Sequence, residues 1–507
     1  MAMEQKNSSS DWKITRFIII SIKKALTFLK KWVRKLNEKS EGKYSPAFIG
    51  WSAAAVSLLI LAIILFIPPY VGMADDGSFS RTANPAGIYH KEDTRENLYF
   101  NYYVREYLSL APAEGAGKAF TSHELFLYAA KAMDALFTGD SVFDLRYLAF
   151  LYCLFYIPAI ALLVRQAAAS ARTFSESVVI GAAGIFVFAD VSYISYFSSF
   201  YPEPILYISI LYCIGAALAL REGKNAFLYL AVFTLSGSML TTAENQCALA
   251  GIFLGGLGVR FLFVRKSISW RLACGSSVML LFISMLVSLY YIPPTYTQAS
   301  KYHAMTRGVL LQSTDPVKTL KEFGIDSAYS ILTDTSSYEE YPEVNPDSKA
   351  LTEFYQKYSS AEITYYYLRH PGALGAMLDL SVKAAFNMRS SFTGNYEKSA
   401  GLPKMARSLF WSMWGNFKIN SAPKTIGFIF VILLAVILLF NKRSKEKNYM
   451  SLEIMAVIFF IAISQAIITI VNSGDAELSQ HLFLFGVSID ILIYFCFCEL
   501  LHRLKII

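Results

Sequence analysis

Charge is scarce in this chain. Asp, Glu, Lys and Arg make up 17% of 507 residues, against roughly 25% in soluble globular proteins. Cysteines are few. Cys153, Cys213, Cys247, Cys274, Cys496 and Cys498 all lie within or at the ends of apolar runs. That placement argues against a disulfide framework, and no zinc-ligand spacing appears. There is no G-x-x-x-x-G-K-[ST] loop, no G-x-G-x-x-G after a strand and no H-E-x-x-H, so nothing signals a nucleotide site or a zinc-protease helix. Strand-like alternation is missing from the apolar runs, which argues against a transmembrane barrel. No cleavable leader is expected, because the apolar run Phe17–Ile20 is short and flanked by lysines.

What the chain has instead is apolar length. It is 55% hydrophobic, and runs long enough to approach the ~20 residues of a membrane span recur about ten times. The expected spans are Phe48–Ile67, Tyr147–Val164, Val178–Phe197, Pro204–Leu220, Ala226–Thr242, Cys247–Val264, Leu272–Ile292, Thr425–Phe440, Met450–Val471 and Leu482–Leu501. The chain therefore reads as an all-α polytopic membrane protein of about ten transmembrane helices. Residues 1–47 form a basic arm, 48–292 a transmembrane module with a first large loop at 71–146, 293–424 a second large loop, and 425–507 three closing helices. Ser122–Phe137 and Glu96–Leu110 mix aromatics with charges and suit amphipathic surface helices.

Net charge is +8, and residues 1–47 hold 11 Lys/Arg against 4 Asp/Glu. The basicity belongs to the arm. Between Trp12 and Leu36 lysines interleave with apolar residues, as in a helix lying on anionic lipid heads. Nucleic acid is not implied, since the apolar face would then have no home. The connections around Arg165/Arg172, Arg221/Lys224, Arg265/Lys266/Arg271 and Lys442–Lys447, with the tail, hold 13 Lys/Arg. The opposite short connections, 198–203, 243–246 and 472–481, hold none. By the positive-inside rule both termini are cytoplasmic and both large loops face outward.

The outward connections collect Asp75, Asp76, Arg81, His90, Asp190, Glu203, Glu244, Asp475, Glu477 and His481. Ionisable groups at a membrane boundary are costly and tend to be functional. Asp75 and Asp76 follow the first span after Pro68-Pro69, and Gly77 lets the backbone turn there. Glu203 sits between Pro202 and Pro204, which are expected to hold it extended. With no nucleotide site in view, an enzyme here would need an activated substrate delivered in the membrane, and a polyprenyl phosphate carrying a sugar meets that need.

At these residues the chain resembles the GT-C superfamily of polyprenyl-phosphate-dependent glycosyltransferases. Ser122-His-Glu-Leu-Phe-Leu-Tyr128 is similar in position to a His-Pro-Pro-Leu-Tyr-type segment of that group. A closer resemblance is to WsfD-like hexosyltransferases of Gram-positive surface-glycan loci. It is carried by Gly72-Met-Ala-Asp-Asp-Gly-Ser-Phe79, Ser198-Ser-Phe-Tyr-Pro-Glu-Pro204, Tyr367-Leu-Arg-His-Pro-Gly372, Gly394-Asn-Tyr-Glu-Lys-Ser399 and Asp475-Ala-Glu-Leu-Ser-Gln-His-Leu482. The resemblance implies an inverting hexose transfer with Asp75 as general base and Asp76 less strictly required. Ala243-Glu-Asn-Gln246 departs from it, because such proteins often carry Lys or Arg there.

The substrate-binding candidates are Asp76, Arg81, Asp190, Glu203, Arg369, His370 and His481. Arg81, Arg369, His370 and His481 are the cations for a leaving phosphate, and Asp190 and Glu203 would orient the sugar. A divalent cation, if one is used, would sit on Asp75, Asp76 and Glu203. The expected partners are a polyprenyl-phosphate sugar donor, a glycan or lipid-linked acceptor, and membrane lipids. A transporter or flippase of lipid-linked sugars is the alternative class and calls for charged pairs or broken helices at mid-membrane. A non-enzymatic scaffold would leave the gathered acids unexplained.

Overall fold

The computed structural model describes residues 44–91, 99–111, 121–221, 223, 225–290, 294–337, 354, 356–389, 392–441, 450–476 and 478–504, with 31, 34, 35, 37 and 38 of the arm. The basic helix expected at Trp12–Leu36 lies largely outside them, as does Glu477. Among the described residues the helices of eight residues or more are α1 Pro46–Phe66, α2 Ser122–Phe137, α3 Leu145–Ala168, α4 Phe174–Phe188, α5 Glu203–Leu220, α6 Ala226–Ala243, α7 Ala250–Phe261, α8 Ile268–Tyr290, α9 Pro294–His303, α10 Ser360–Arg369, α11 Pro371–Ala385, α12 Met413–Ser421, α13 Ile426–Asn441, α14 Met450–Ser473 and α15 Phe483–Leu504. Shorter turns are named by their residues.

Among the described residues seven helices are long and apolar enough to cross a membrane: α1, α3, α5, α6, α8, α14 and α15. Two bent pairs raise the number to nine if each is one span. In one, α4 breaks by 45° into Val191–Phe197; in the other, α12 meets α13 at 119°. The expected span Cys247–Val264 is helical only over Ala250–Phe261, 12 residues. Gly251, Gly255, Gly256 and Gly258 crowd that segment and give it weak helix propensity.

Helix α1 starts at Ser45, whose hydroxyl accepts the Phe48 amide at 3.2 Å, with Pro46 in the first turn. Its Gly50, Ala53, Ala54 and Ser57 are buried, while Phe48, Trp51, Leu58 and Leu59 are exposed. Lipid is as apolar as leucine, so such helices associate through small residues that allow close approach. A Cβ on Gly50 would overlap the Ala161 carbonyl of α3.

Helix α5 is the centre of the bundle. Every residue from Glu203 to Leu220 is buried except Tyr212. It packs against α3, α6, α14 and α15. An evenly apolar helix suits such a site. Its N-terminus therefore delivers Glu203 into the middle of one end of the bundle.

The first large loop is not wholly helical. Surface helix α2 forms over the expected residues, capped by Thr121, whose Oγ1 accepts the Glu124 amide at 3.3 Å. The stretch expected as a second surface helix instead holds a strand. β1 Ile88–Tyr89, β2 Glu106–Ser109 and β3 Val142–Asp144 form an antiparallel sheet, with Ile88 opposite Ser109 and Tyr107 opposite Phe143. Tyr107 is buried between two part-exposed neighbours, a period of two that a strand satisfies and a helix does not.

The two large loops meet over this end of the bundle. Gly72 N donates to Asn395 O at 3.0 Å and Ala74 N to Gly394 O at 2.9 Å. Arg105 joins Glu397 at 3.1 Å and Asp144 at 3.4 Å, and its guanidinium lies 4.9 Å from the Tyr70 ring centre. Gly72 is required there because a Cβ would overlap the Tyr103 ring.

Candidate active site

The turn after α1 is built around the Asp75 carboxylate. Its Oδ1 accepts the Gly77 amide at 2.7 Å and the Phe79 amide at 3.1 Å. Gly77 sits at φ +100°, a backbone region that glycine enters without strain. Oδ2 points instead at His90 Nε2, 3.2 Å away. The Asp75 side chain is 1% exposed, and its surroundings are polar-aromatic rather than hydrocarbon. The His90 ring lies 5.1 Å from Tyr107 and 6.3 Å from Tyr99. His90 Nδ1 is buried with no hydrogen-bond partner. If Nε2–H donates to Asp75, that nitrogen keeps its lone pair.

Asp76 is part-exposed. Its Oδ1 accepts the Ser78 amide at 3.0 Å and its Oδ2 accepts Gln480 Nε2 at 2.5 Å. The backbone here is gripped from α5's side: Tyr201 Oη donates to Ala74 O at 3.0 Å and accepts the Asp76 amide at 3.2 Å.

Around Asp76 lies a second set of groups. Glu203 is buried, its Oε2 has no partner, and it is within electrostatic reach of Glu244 and Asp76. It occupies the first turn of α5, with Pro202 as the N-cap. The two prolines therefore open a helix there rather than hold Glu203 extended, and the helix N-terminus favours a negative charge. Glu244, just past α6, is raised above the ordinary carboxylate range by burial, opposed by His481 and by Gln246, whose Nε2 donates to it at 2.6 Å. Burial lowers the His481 imidazole, while Glu244 and Asp76 act the other way. Arg81 is exposed on the turn Phe79–Ala83 and acts electrostatically on His481. The structure thus brings Asp75, Asp76, Arg81, Glu203 and His481 together.

Three other expected residues stand elsewhere. Asp190 is fully buried at the break after α4. Its Oδ1 accepts the Ser192 amide at 2.8 Å and its Oδ2 the Gly415 amide at 3.0 Å. Both oxygens serve the backbone, so Asp190 holds the bent span against α12 rather than orienting a sugar. Arg369 is exposed at the end of α10, over the Tyr365 ring at 5.3 Å. His370 stacks on Tyr366 at 4.2 Å. Among the described residues neither is joined to the Asp75 group by a hydrogen bond or ion pair; His370's neighbour Tyr366 belongs to a separate cluster with Met305 and Ile363. No group of three or more His, Cys, Asp or Glu side chains among the described residues is arranged to hold a metal ion. Asp75, Asp76 and Glu203 are therefore not a ligand set in this arrangement.

His123, in the segment similar to the His-Pro-Pro-Leu-Tyr type, is buried and pushed down to about 4 by that burial, with Tyr152 Oη 3.0 Å from its Nδ1. It is neutral and anchors α2 on α3. A polar cavity of about 30 Å³ lies at the far end of the bundle, among Gln166, Glu176, Arg221, Ser451, Glu499 and His502. That is room for one water, at the opposite helix ends from Asp75.

Sequence reasoning passed over Gln480, Tyr201 and Lys418. The Lys418 Nζ lies 3.0 Å from Asp490 Oδ1 in a pair that is 2% and 0% exposed. Nothing in a stretch such as Met413–Ser421 says that it folds back into the bundle.

The sequence profile of the YfdI N-terminal transmembrane domain matches residues 30–507. The chain belongs to this family. Its YfdI-type domain takes in the whole bundle, both large loops and the acid-bearing end. The protein is thereby a multi-pass membrane protein, in keeping with its long apolar helices. Among solved structures it is similar to the apo oligosaccharyltransferase of Archaeoglobus fulgidus, at 11% identity and a TM-score of 0.38, over 92% of this chain and 52% of that one. The chain spans about half the length of that structure. No curated protein matches it.

Proposed function

We propose that this protein is a membrane glycosyltransferase of the GT-C type. It moves a hexose from a polyprenyl-phosphate donor to a hydroxyl of a surface glycan or lipid-linked acceptor. The observation that carries the reading is the Asp75–His90 contact. One carboxylate oxygen is fixed by two backbone amides, and the other faces an imidazole whose second nitrogen has no partner. A base held in one orientation beside a proton-carrying ring suits general-base work.

In the proposed reaction the acceptor oxygen attacks C1 of the sugar from the face opposite the phosphate. The C1–O bond breaks and its electron pair leaves with the lipid phosphate. The acceptor's proton passes to Asp75, with His90 as the neighbouring relay. Displacement from the opposite face inverts the anomeric centre. Glu203 and Asp76 are the groups assigned to the sugar hydroxyls, and His481 beside them remains a candidate cation for the phosphate. The lysine and arginine asymmetry between connections supports cytoplasmic termini and an extracytoplasmic site.

The transporter alternative draws on two features of the fold: two broken helix pairs, and a charged pair, Lys418–Asp490, buried in the bundle. Purified protein incubated with defined prenyl-phosphate sugars separates the two. Transfer of the sugar to an acceptor, with free prenyl phosphate as the second product, supports the enzyme. Intact lipid-linked sugar that merely changes leaflet in vesicles overturns it.

A further inference from the structure

Glu203 forms the floor of the acid-bearing end. It is 2% exposed, and its Oε2 has no hydrogen-bond partner. The hydroxyls around it serve other groups. Tyr201 Oη donates to Ala74 O at 3.0 Å and Tyr196 Oη to Met388 O at 3.2 Å, while Tyr152 Oη lies 3.0 Å from His123 Nδ1. Each of these tyrosines is within electrostatic reach of Glu203. Among the described residues the charges that act on Glu203 are Glu244 and Asp76, both acids. Arg389, the buried arginine that also acts on Tyr196, gives Nη1 to two neutral acceptors, Asn395 Oδ1 at 2.7 Å and Ser408 O at 3.0 Å. His481 acts on Glu244, and Arg81 on His481. A buried carboxylate is costly unless a donor, and best a cation, comes to it.

The rim around Glu203 is accessible and acidic. Asp76, Glu244, Gln246 and Gln480 are all part-exposed. Glutamines brace both rim acids. Gln480 Nε2 donates to Asp76 Oδ2 at 2.5 Å, and Gln246 Nε2 donates to Glu244 Oε2 at 2.6 Å and to His481 O at 3.4 Å. Gln480 and its neighbour His481 thus tie both acids to one short turn. The amides fix the carboxylates and bring no charge. A carboxylate oxygen has two lone pairs, so each rim acid can still accept a bond from a ligand.

Donor count and charge say what such a site takes. A sugar hydroxyl gives one hydrogen and no charge. An N-acetyl group gives one N–H and sets a carbonyl oxygen against the acids. A protonated amine gives three N–H donors and the missing positive charge. We propose that this site selects a sugar with a free amino group, whose ammonium sits on Glu203 between Asp76 and Glu244. This rests on the glycosyltransferase reading and narrows the hexose to an amino hexose. Asp75 stays free for the acceptor's proton.

Farnesyl-phosphate-linked glucosamine, N-acetylglucosamine and glucose, titrated onto the full chain in detergent micelles with EDTA, test it. The glucosamine donor binds about tenfold or more tightly than the other two, because charge-assisted bonds outweigh neutral ones. Glu203→Gln keeps the shape, loses the charge and brings the donors to within about threefold of one another. Glu244→Gln, on the part-exposed rim, shrinks the preference and carries the test if Glu203→Gln does not fold. Equal binding of the donors by wild type overturns the inference, as does a preference that survives in both variants. Binding of the glucose donor that appears only with added Mg²⁺ or Mn²⁺ gives the acids to a metal ion and overturns it too. Transfer assayed with the same donors keeps the two readings apart. Glucose transferred as well as glucosamine sinks the amino selectivity and leaves the enzyme standing. Glutamate-dependent binding of the glucosamine donor without any transfer sinks the enzyme and leaves the ammonium site.

Discussion

Replacing Lys418 by methionine should destabilise the protein more than any surface change, and Asp490→Leu more still. The Asp490 side chain is 0% exposed and that of Lys418 2%. Breaking a buried pair by removing one partner costs about 3–5 kcal/mol, because the other charge stays buried. The structure orders the two variants. Without Lys418, Asp490 keeps Trp414 Nε1 at 2.7 Å and the Tyr193 hydroxyl. Those charge-assisted bonds hold Lys418→Met near the lower figure of about 3 kcal/mol. Without Asp490, Lys418 keeps the Phe386 ring at 5.2 Å, and the cost moves toward about 5 kcal/mol. Removing both leaves Trp414 and Tyr193 without an acceptor, about 1–3 kcal/mol each. The double variant should therefore be less destabilised than the sum of the singles, about 8 kcal/mol, by about 2 kcal/mol or more. Denaturant unfolding in detergent micelles, followed by tryptophan fluorescence, measures all four corners of the cycle. Additivity within about 0.5 kcal/mol, or a Lys418→Met protein as stable as wild type, would show that the two charges do not depend on each other.

Three further outcomes follow from the site. Asn395→Ala removes the bridge between Arg389 and Gly72. At about 1.5–3 kcal/mol for the charged bond and about 1 for the neutral one, it should lower stability by about 3 kcal/mol and cut transfer; unfolding and initial rates check both. Gly72→Ala should impair transfer without touching a reacting group, since its Cβ overlaps Tyr103; wild-type rates would contradict this. Glu124 is raised to about 7 by burial, against a backbone bond from Thr121. The folded state then holds a proton that the unfolded state releases near 4.5. Stability from this group is present at low pH and lost as pH rises through about 7. Glu124→Gln should flatten that slope, and an unchanged stability–pH curve would count against it.

Much of the fold was legible because lipid imposes it. Long apolar runs and skewed lysines mark helices in any membrane protein, and α1, α3, α5, α6, α8, α14 and α15 fall where hydropathy puts them. What resisted reading was local. Tyr107's strand looks amphipathic in either period, and its pairing with Phe143 is made 36 residues away in the chain. The glycines of α7 kept its hydropathy while shortening its helix. The candidate site divides in the same way. Asp75, Asp76, Glu203 and His481 lie at helix ends on one side, so topology gathers them. Arg389, Asn395 and Lys418 reach the bundle only because the second loop folds back onto residues 71–74 and onto α15. No period or spacing announces such a return. Asp190 shows the converse: a carboxylate at a helix break reads as functional until its two oxygens are found on backbone amides.

In the proposed reaction the Asp75 carboxylate takes the acceptor's proton. Asparagine at 75 keeps an oxygen for the Gly77 and Phe79 amides, so the turn should stand. Initial rates of hexose transfer from a polyprenyl-phosphate donor, measured on purified wild type and Asp75→Asn at matched unfolding temperature, are the direct test. A fall of at least ~100-fold is expected for the loss of a general base, with the donor's binding unchanged. Transfer within about threefold of wild type, far short of what a base contributes, would contradict it.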